Sequence, residues 1–202
     1  MEKTRLQKQM DFIVEMDKTK QIIRQTYLAD GSRKENDAEH AWHLAMMTYL
    51  LQEYAQKEIN VAKTMMMVLI HDLVEIDAGD TYAYDETGNL DKREREEKAA
   101  YRIFPILPSD QAEELRALWE EFEENQTPEA KFAHTLDNLQ PLLLNDASEG
   151  KSWREHQVTL DKVLKRNQYT KEGSEVLWDY AKKCIDKNVE IGNIRLVNIQ
   201  KE

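Results

Sequence analysis

The chain has 202 residues, 28 of them Lys or Arg against 39 Asp or Glu, for a net charge of −11, with 41% apolar and 33% charged residues. Those proportions suit one acidic globular domain over residues 1–202 and exclude a disulfide-stapled scaffold, because Cys184 is the single cysteine. No apolar run approaches the roughly 18 residues of a membrane span, and Met1 to Gln9 has no signal-peptide character. On those grounds the expectation is a cytoplasmic protein without a membrane partner, and the acid excess, which repels long polyanions, also disfavours one that grips long nucleic acid. A small phosphorylated ligand stays compatible, since a bound cation reverses the local sign.

Six Gly and four Pro leave a composition dominated by helix formers, and no segment alternates like a strand, so the predicted fold is an all-α bundle. Leu6, Met10, Ile13, Ile23 and Tyr27 fit one face of a first helix. A second spans Ala38 to Ala55 with Trp42, Ala45, Met46, Tyr49 and Leu50 inward. Asn60 caps a third, Val61 to Ile76, apolar on every side and therefore expected to run through the middle of the bundle. Asp77 to Asn89 reads as a loop, Asp91 to Phe104 as a charged helix, and another begins near Ser109 after Pro105 and Pro108. Thr127-Pro128 opens a helix through Leu144 that Pro141 should kink, freeing the carbonyl of Asp137. Helical stretches follow at Trp153 to Arg166 and Gly173 to Asn188, then a tail with Ile191, Ile194, Leu196 and Ile199 that is expected to extend over the body.

Three features depart from this background: His40, the run His71-Asp72 with Glu75 on the apolar third helix, and Asp137 beside the proline. Desolvating a carboxylate costs several kcal/mol unless it is paired or bound to a cation. On a continuous helix His71 and Glu75 share a face and Asp72 lies about 100° round, so the trio can point into one cleft. Imidazole nitrogen and carboxylate oxygen together suit a divalent metal. Taken alone, a His-Asp dipeptide is more often a hydrogen-bonded pair than a ligand set.

The order His, His-Asp, Asp resembles the HD-domain metal-dependent phosphohydrolases, an all-helical family. Leu73-Val74-Glu75 followed by Gly79-Asp80, the run Lys92 to Glu97, Leu107-Pro108, Leu118 to Phe122 and Glu129 to Phe132 resemble the HD-domain 5′-deoxynucleotidases, including the group called HD domain-containing protein 2. The likeness covers about residues 5–145 and thins over 150–202. It implies a single HD domain in which His40, His71, Asp72 and Asp137 bind a divalent cation (Mn, Co, Mg, Zn or Fe). It associates Glu75, Asp80 and the Thr81 carbonyl with a second ion, or with substrate and catalytic water. It also implies hydrolysis of nucleoside 5′-monophosphates, with Asp72 and Glu75 catalytic, and a homodimer. Arg24 is the best match to the family's phosphate-orienting arginine, with Arg33 as a further candidate for phosphate charge, although Gln25 stands where the bacterial deoxynucleotidases carry tryptophan.

Other candidates have plainer readings. His43 reads as a hydrogen-bonding residue behind the ligands, His134 as a cleft residue, and His156 as surface. Met46, Met47 and Met65 to Met67 read as core filler, Arg93 to Lys98 as a solvated face, and Trp119 and Trp178 as packing or subunit contacts. Tyr82 and Tyr84 are balanced between stacking on a base and anchoring a loop. The alternatives are an HD-superfamily hydrolase of another phosphorylated or pyrophosphorylated nucleotide and a non-catalytic helical interaction protein with a structural metal.

Overall fold

Thr4 opens the first helix. Its hydroxyl accepts the Gln7 N–H while the Gln7 side chain accepts the Thr4 N–H, a capping box that starts α1 (Arg5–Met16) in the computed structural model, which describes residues 2–85 and 87–196. The chain then tightens into a 3-10 turn, Asp17–Gln21, and leaves helix altogether. Ile23 and Tyr27, expected on the first helix, lie in β1 (Ile23–Tyr27), which pairs antiparallel with β2 (Lys34–Asn36) in the register Ile23 to Asn36 and Tyr27 to Lys34. Ile22, Ile23, Thr26 and Tyr27 are β-branched or aromatic and favour this extended run. Gly31 supplies the positive φ of 67° that the connection requires. The fold is thus helical with one small hairpin, and that hairpin carries Arg24 and Glu35.

Asn36 caps α2 (Asp37–Leu51) through a second capping box with Glu39. The buried face of α2 is His40, Ala41, Leu44, Ala45, Met47 and Thr48. Of the residues expected inward only Ala45 is so. Trp42, Met46, Tyr49 and Leu50 point outward, with Trp42 64% exposed. Both faces of α2 are apolar, so hydrophobicity does not fix its rotation; the inward placement of His40 does.

Cap residue Asn60 starts α3, which ends at Ile70 rather than Ile76, and one side of it is exposed at Met66 and Leu69. From Ile70 the backbone continues in i to i+3 hydrogen bonds, Leu73 N–H to Ile70 O and Glu75 N–H to Asp72 O, before α4 (Glu75–Ala78). His71, Asp72 and Glu75 therefore flank a tightened turn instead of following one regular helix. Next come α5 (Lys92–Ile103), α6 (Ser109–Glu124) and α7 (Pro128–Ala147), the last opened by Thr127 and continuous through Pro141. Beyond Gly150 the stretch expected as one helix over Trp153 to Arg166 is divided into α8 (Lys151–Glu155) and α9 (Leu160–Arg166); α10 (Thr170–Gly173) follows, and α11 (Glu175–Glu190) has the expected length, displaced by two residues. In the tail Ile194 is buried while Ile191 and Leu196 are exposed, and Ile199 lies outside the described residues.

Two apolar clusters meet beneath the His-Asp turn. One joins α2, α3, α7 and α11 through Leu44, Val68, Phe132, Leu136 and Ile185; the other joins α1, α5 and α6 through Phe12, Ile103, Phe104 and Trp119, with Ile70 and Leu73. The end of α3 contributes to both, Val68 to the first and Ile70 to the second, so His71 and Asp72 sit on a backbone braced from two sides. Among the described residues no helix is long and apolar enough to cross a membrane.

Candidate metal centre

His40 arrives from α2, His71 and Asp72 from the turn after α3, and Asp137 from α7. Ligand atoms of His40, His71 and Asp72 all lie within 4.8 Å of one another. His40 Nε2 is 3.0 Å from Asp137 Oδ1, and His71 Nε2 is 3.7 Å from the same oxygen. Both imidazoles are oriented from behind. His71 Nδ1–H donates to the Val68 carbonyl at 2.9 Å. His40 Nδ1–H donates to Gln140 Oε1 at 3.1 Å, and Gln140 Nε2 in turn donates to Glu35 Oε2 at 2.8 Å, which fixes the amide's orientation. Each ring thereby offers Nε2 to the shared space, the tautomer a metal ligand needs.

The polar atoms left over are informative. His71 Nε2, Glu75 Oε2, Asp37 Oδ2 and Glu35 Oε1 are buried without a hydrogen-bond partner. His71 Nε2 is 3.0 Å from Asp72 Oδ2 but lacks hydrogen-bond geometry to it. Buried polar atoms in folded proteins are almost always paired, so this concentration of orphans around Asp72 is a place where a cation would satisfy several of them at once. The donor set of imidazole and carboxylate fits a divalent ion. A second convergence, Asp37, Asp72 and Glu75, also falls within 4.8 Å. Asp80 and Thr81 line the adjoining cleft without entering either group.

Charges here are strongly coupled. Burial, then Asp72, push the Asp37 carboxyl up to about 7 against the opposing pull of Arg24. Burial and the neighbouring Asp72 and Asp37 carboxylates hold Glu75 well above the ordinary carboxylate range. Burial works against a charge on His71, yet Asp72 and Asp137 raise it to about 10. Asp137 is held well below its ordinary value: burial opposes this, but Arg166 and the two histidines prevail. A divalent cation among these groups competes with the same protons.

The two arginines expected at a phosphate have other partners. Arg24 is nearly buried and clamps Asp72 at 2.6 Å and Asp37 at 3.3 Å, with Glu35 at 3.6 Å. Arg33 pairs with Glu39 on the surface and does not line the cleft. The cleft above the histidines encloses about 830 Å³, within the range of small-ligand sites. Its walls include Tyr82, Tyr84, Lys92, His134 and, from α9, Lys162, Lys165 and Arg166. Tyr82 and Tyr84 pack edge-to-face at 5.2 Å, and Tyr82 also meets the ring of His156, which is exposed as expected. His134 donates from Nε2 to the Phe122 carbonyl and stacks on the Phe122 ring, while His43 Nδ1 sits 3.3 Å from Gln140 Nε2.

Sequence reasoning missed Glu35, Gln140 and Arg166 and gave Asp37 no role. Gln140 was open to discovery, since it lies three residues after Asp137 and shares its helical face. Glu35 and Asp37 flank the cap Asn36, where acidic residues pass for ordinary helix-start chemistry.

An HD domain family model matches residues 16–178. Human 5′-deoxynucleotidase HDDC2 is 32% identical over 111 residues, 55% of this chain and 53% of that protein. The Schizosaccharomyces pombe 5′-deoxynucleotidase hdd1 is 28% identical over 130 residues, 62% of this chain and 64% of that protein. The chain thus spans about half the length of the human relative it matches. A crystal structure of a predicted metal-dependent phosphohydrolase from Magnetospirillum magnetotacticum MS-1 is 52% identical, covers 94% of this chain and 95% of that one, and superposes with a TM-score of 0.90. With the family model spanning most of its length and the two histidines and two aspartates converging in space, this chain belongs to the HD domain family.

Proposed function

We propose that this protein is a metal-dependent phosphohydrolase that releases phosphate from ribo- or deoxyribonucleoside 5′-monophosphates, and that residues 1–202 work as one HD domain. The observation that carries the reading is the convergence of His40, His71, Asp72 and Asp137 around unpartnered buried donor atoms at the floor of a nucleotide-sized cleft. The names of the human and yeast relatives support the substrate class.

In this reading the four residues hold the principal cation, which supplies Lewis acidity and lowers the pKa of a water near phosphorus. Gln140 and the Val68 carbonyl keep both imidazoles in the binding tautomer. Arg24 fixes the Asp72 carboxylate and offsets part of the acidic charge beneath it. Glu75, whose Oε2 has no protein partner, orients the attacking water and takes its proton. For a second ion the proposed donors are Glu75, Asp80 and the Thr81 carbonyl, with Asp37 adding a carboxylate next to Glu75. Tyr82 and Tyr84 form an aromatic wall suited to the base or sugar.

A homodimer is part of the proposal. Trp42, Met46, Tyr49 and Leu50 of α2, together with Met66 and Leu69 of α3, are large apolar side chains left outside the core, and a second copy would cover them. A cytoplasmic location accords with the free thiol of Cys184.

The deciding experiment is a phosphate-release panel of ribo- and deoxyribonucleoside monophosphates before and after chelation, with Mn, Co, Mg, Zn or Fe added back. Turnover that disappears on chelation and returns with metal is expected. Metal-loaded protein with no turnover on any nucleotide would instead favour a structural ion.

A further inference from the structure

A phosphate entering this cleft meets Asp72, Glu75, Asp80, Glu96, Glu123 and Asp137 on its walls. At close range like charges repel by several kcal/mol in a low-dielectric site, so cations beyond the metal are needed to admit a dianion. Arg24 adds little toward that need: three carboxylates of this chain, Glu35, Asp37 and Asp72, surround and offset its charge, and its side chain is only 12% exposed. Lys92, also on the wall, is paired with Glu96 at 3.3 Å, and the remaining cations that line the cleft come from α9.

Lys162, Lys165 and Arg166 stand at i, i+3 and i+4, one face of α9, and all three line the cleft. Val163, which does not line the cleft, is buried, as is the C-cap Asn167, and this fixes the helix's rotation; Asn167 Nδ2 also donates to the Val163 carbonyl. Arg166 Nη2 donates to Asp137 Oδ2 at 2.8 Å, while the other oxygen of Asp137 lies 3.0 Å from His40 Nε2. A single carboxylate therefore separates this guanidinium from the metal-facing imidazole. One N–H is engaged there, and a guanidinium has five, so donors remain for a second anion. Among the described residues, neither Lys162 nor Lys165 has a carboxylate oxygen within 4.0 Å that would neutralise it.

We propose that α9 is the phosphate-binding arm of this site, with Arg166 donating to a phosphoryl oxygen of the substrate and Lys162 and Lys165 drawing the anion toward it. The identity of the anion rests on the phosphohydrolase reading; the arm itself does not.

The test uses the full chain loaded with metal and inorganic phosphate as the probe, followed by calorimetry, with metal content measured on the same samples. Arg166→Gln should keep its metal and weaken phosphate binding about ten- to a hundredfold, the loss expected for a charge-assisted hydrogen bond. Arg166→Lys should fall between the two, since a point charge replaces the fork. Lys162→Ala with Lys165→Ala should weaken binding less and reduce its salt dependence. Three results would overturn the proposal: wild-type protein that does not bind phosphate, Arg166→Gln that binds it as tightly as wild type, or Arg166→Gln that loses its metal, which would make Arg166 a support for Asp137. Because binding is read without turnover, a protein that needs Arg166 for phosphate yet hydrolyses no nucleotide would refute the proposed function and leave this inference standing.

Discussion

His40 Nε2 and Asp137 Oδ1 lie 3.0 Å apart although 97 residues separate them in the chain, and Gln140, one turn beyond Asp137 on α7, accepts from the opposite nitrogen of the same ring. In the proposed site one helix thus supplies both a ligand and the group that orients a ligand from another helix. Gln140→Leu keeps roughly the same volume but removes the acceptor for His40 Nδ1–H and the donor to the buried Glu35 carboxylate. Losing such an orienting partner typically costs ten- to a hundredfold in metal affinity. Metal titration of the apoprotein should show a loss of about that size; unchanged affinity would mean that packing alone holds His40 in place.

Asp72 and Glu75 separate binding from chemistry. Asp72 contacts Arg24 and both histidines, so Asp72→Ala should lose metal and phosphate release together. Glu75→Gln should retain the principal ion and lower turnover by about 10²- to 10⁴-fold, the usual contribution of a positioned general base. Metal analysis alongside phosphate release distinguishes the two. Full metal and full rate in Asp72→Ala would remove the basis of the assignment.

Stability of the chelated protein should fall as pH rises. Asp37 has an ordinary pKa of 3.8 and is held at about 7 in the fold, so the native state binds more protons between those values and loses stability as they leave. His71 is raised from 6.5 to about 10, so its contribution is fully present below pH 6.5 and is lost as pH rises through 10. The depressed Asp72 and Asp137 act in the opposite direction only in acid, where their protonation removes stability as pH falls. Melting temperatures between pH 5 and pH 9 should therefore decline in chelator. The gap between metal-loaded and chelated protein should widen with pH, because a cation competes with those same protons. Asp37→Asn should flatten the part of the decline below pH 7. A chelated protein that melts higher at pH 9 than at pH 5 would contradict this.

In the sequence His71, Asp72 and Glu75 stand out because ionisable side chains are costly in the apolar run they interrupt, whereas His40 and Asp137 join them only through the order shared with the HD-domain family. The helical class followed from composition. The hairpin that carries Arg24 and Glu35 was hidden because strands of five and three residues are too short to show a period. The rotation of α2 was misread because it is apolar on two faces, so the run of Trp42, Met46, Tyr49 and Leu50 imitates a core stripe. Arg24 lines the cleft, but its partners are carboxylates of this chain, a preference that depends on how three segments pack and that no local pattern displays. Arg166 comes from the region where the family likeness thins, and its proposed role depends on a contact to Asp137 across 29 residues.

The same misread face of α2 yields the last prediction. Trp42 and Tyr49 are 64% and 59% exposed, and Met66 and Leu69 of α3, which packs against α2, are exposed as well. Isolated surface apolar residues are common, but aromatic and aliphatic side chains aligned on two packed helices form the kind of patch that marks an interface. Aromatic anchors of this type often account for 2 kcal/mol or more of association energy, roughly thirtyfold in affinity. Trp42→Glu with Tyr49→Glu places two like charges on each copy of a self-complementary surface, so the dimer should dissociate. Light scattering after size exclusion should give twice the chain mass for wild type and a single chain for the double variant, with circular dichroism showing the same helicity in both. A wild-type protein that is monomeric at tens of micromolar, or a double variant that still dimerises, would assign this face to some other purpose.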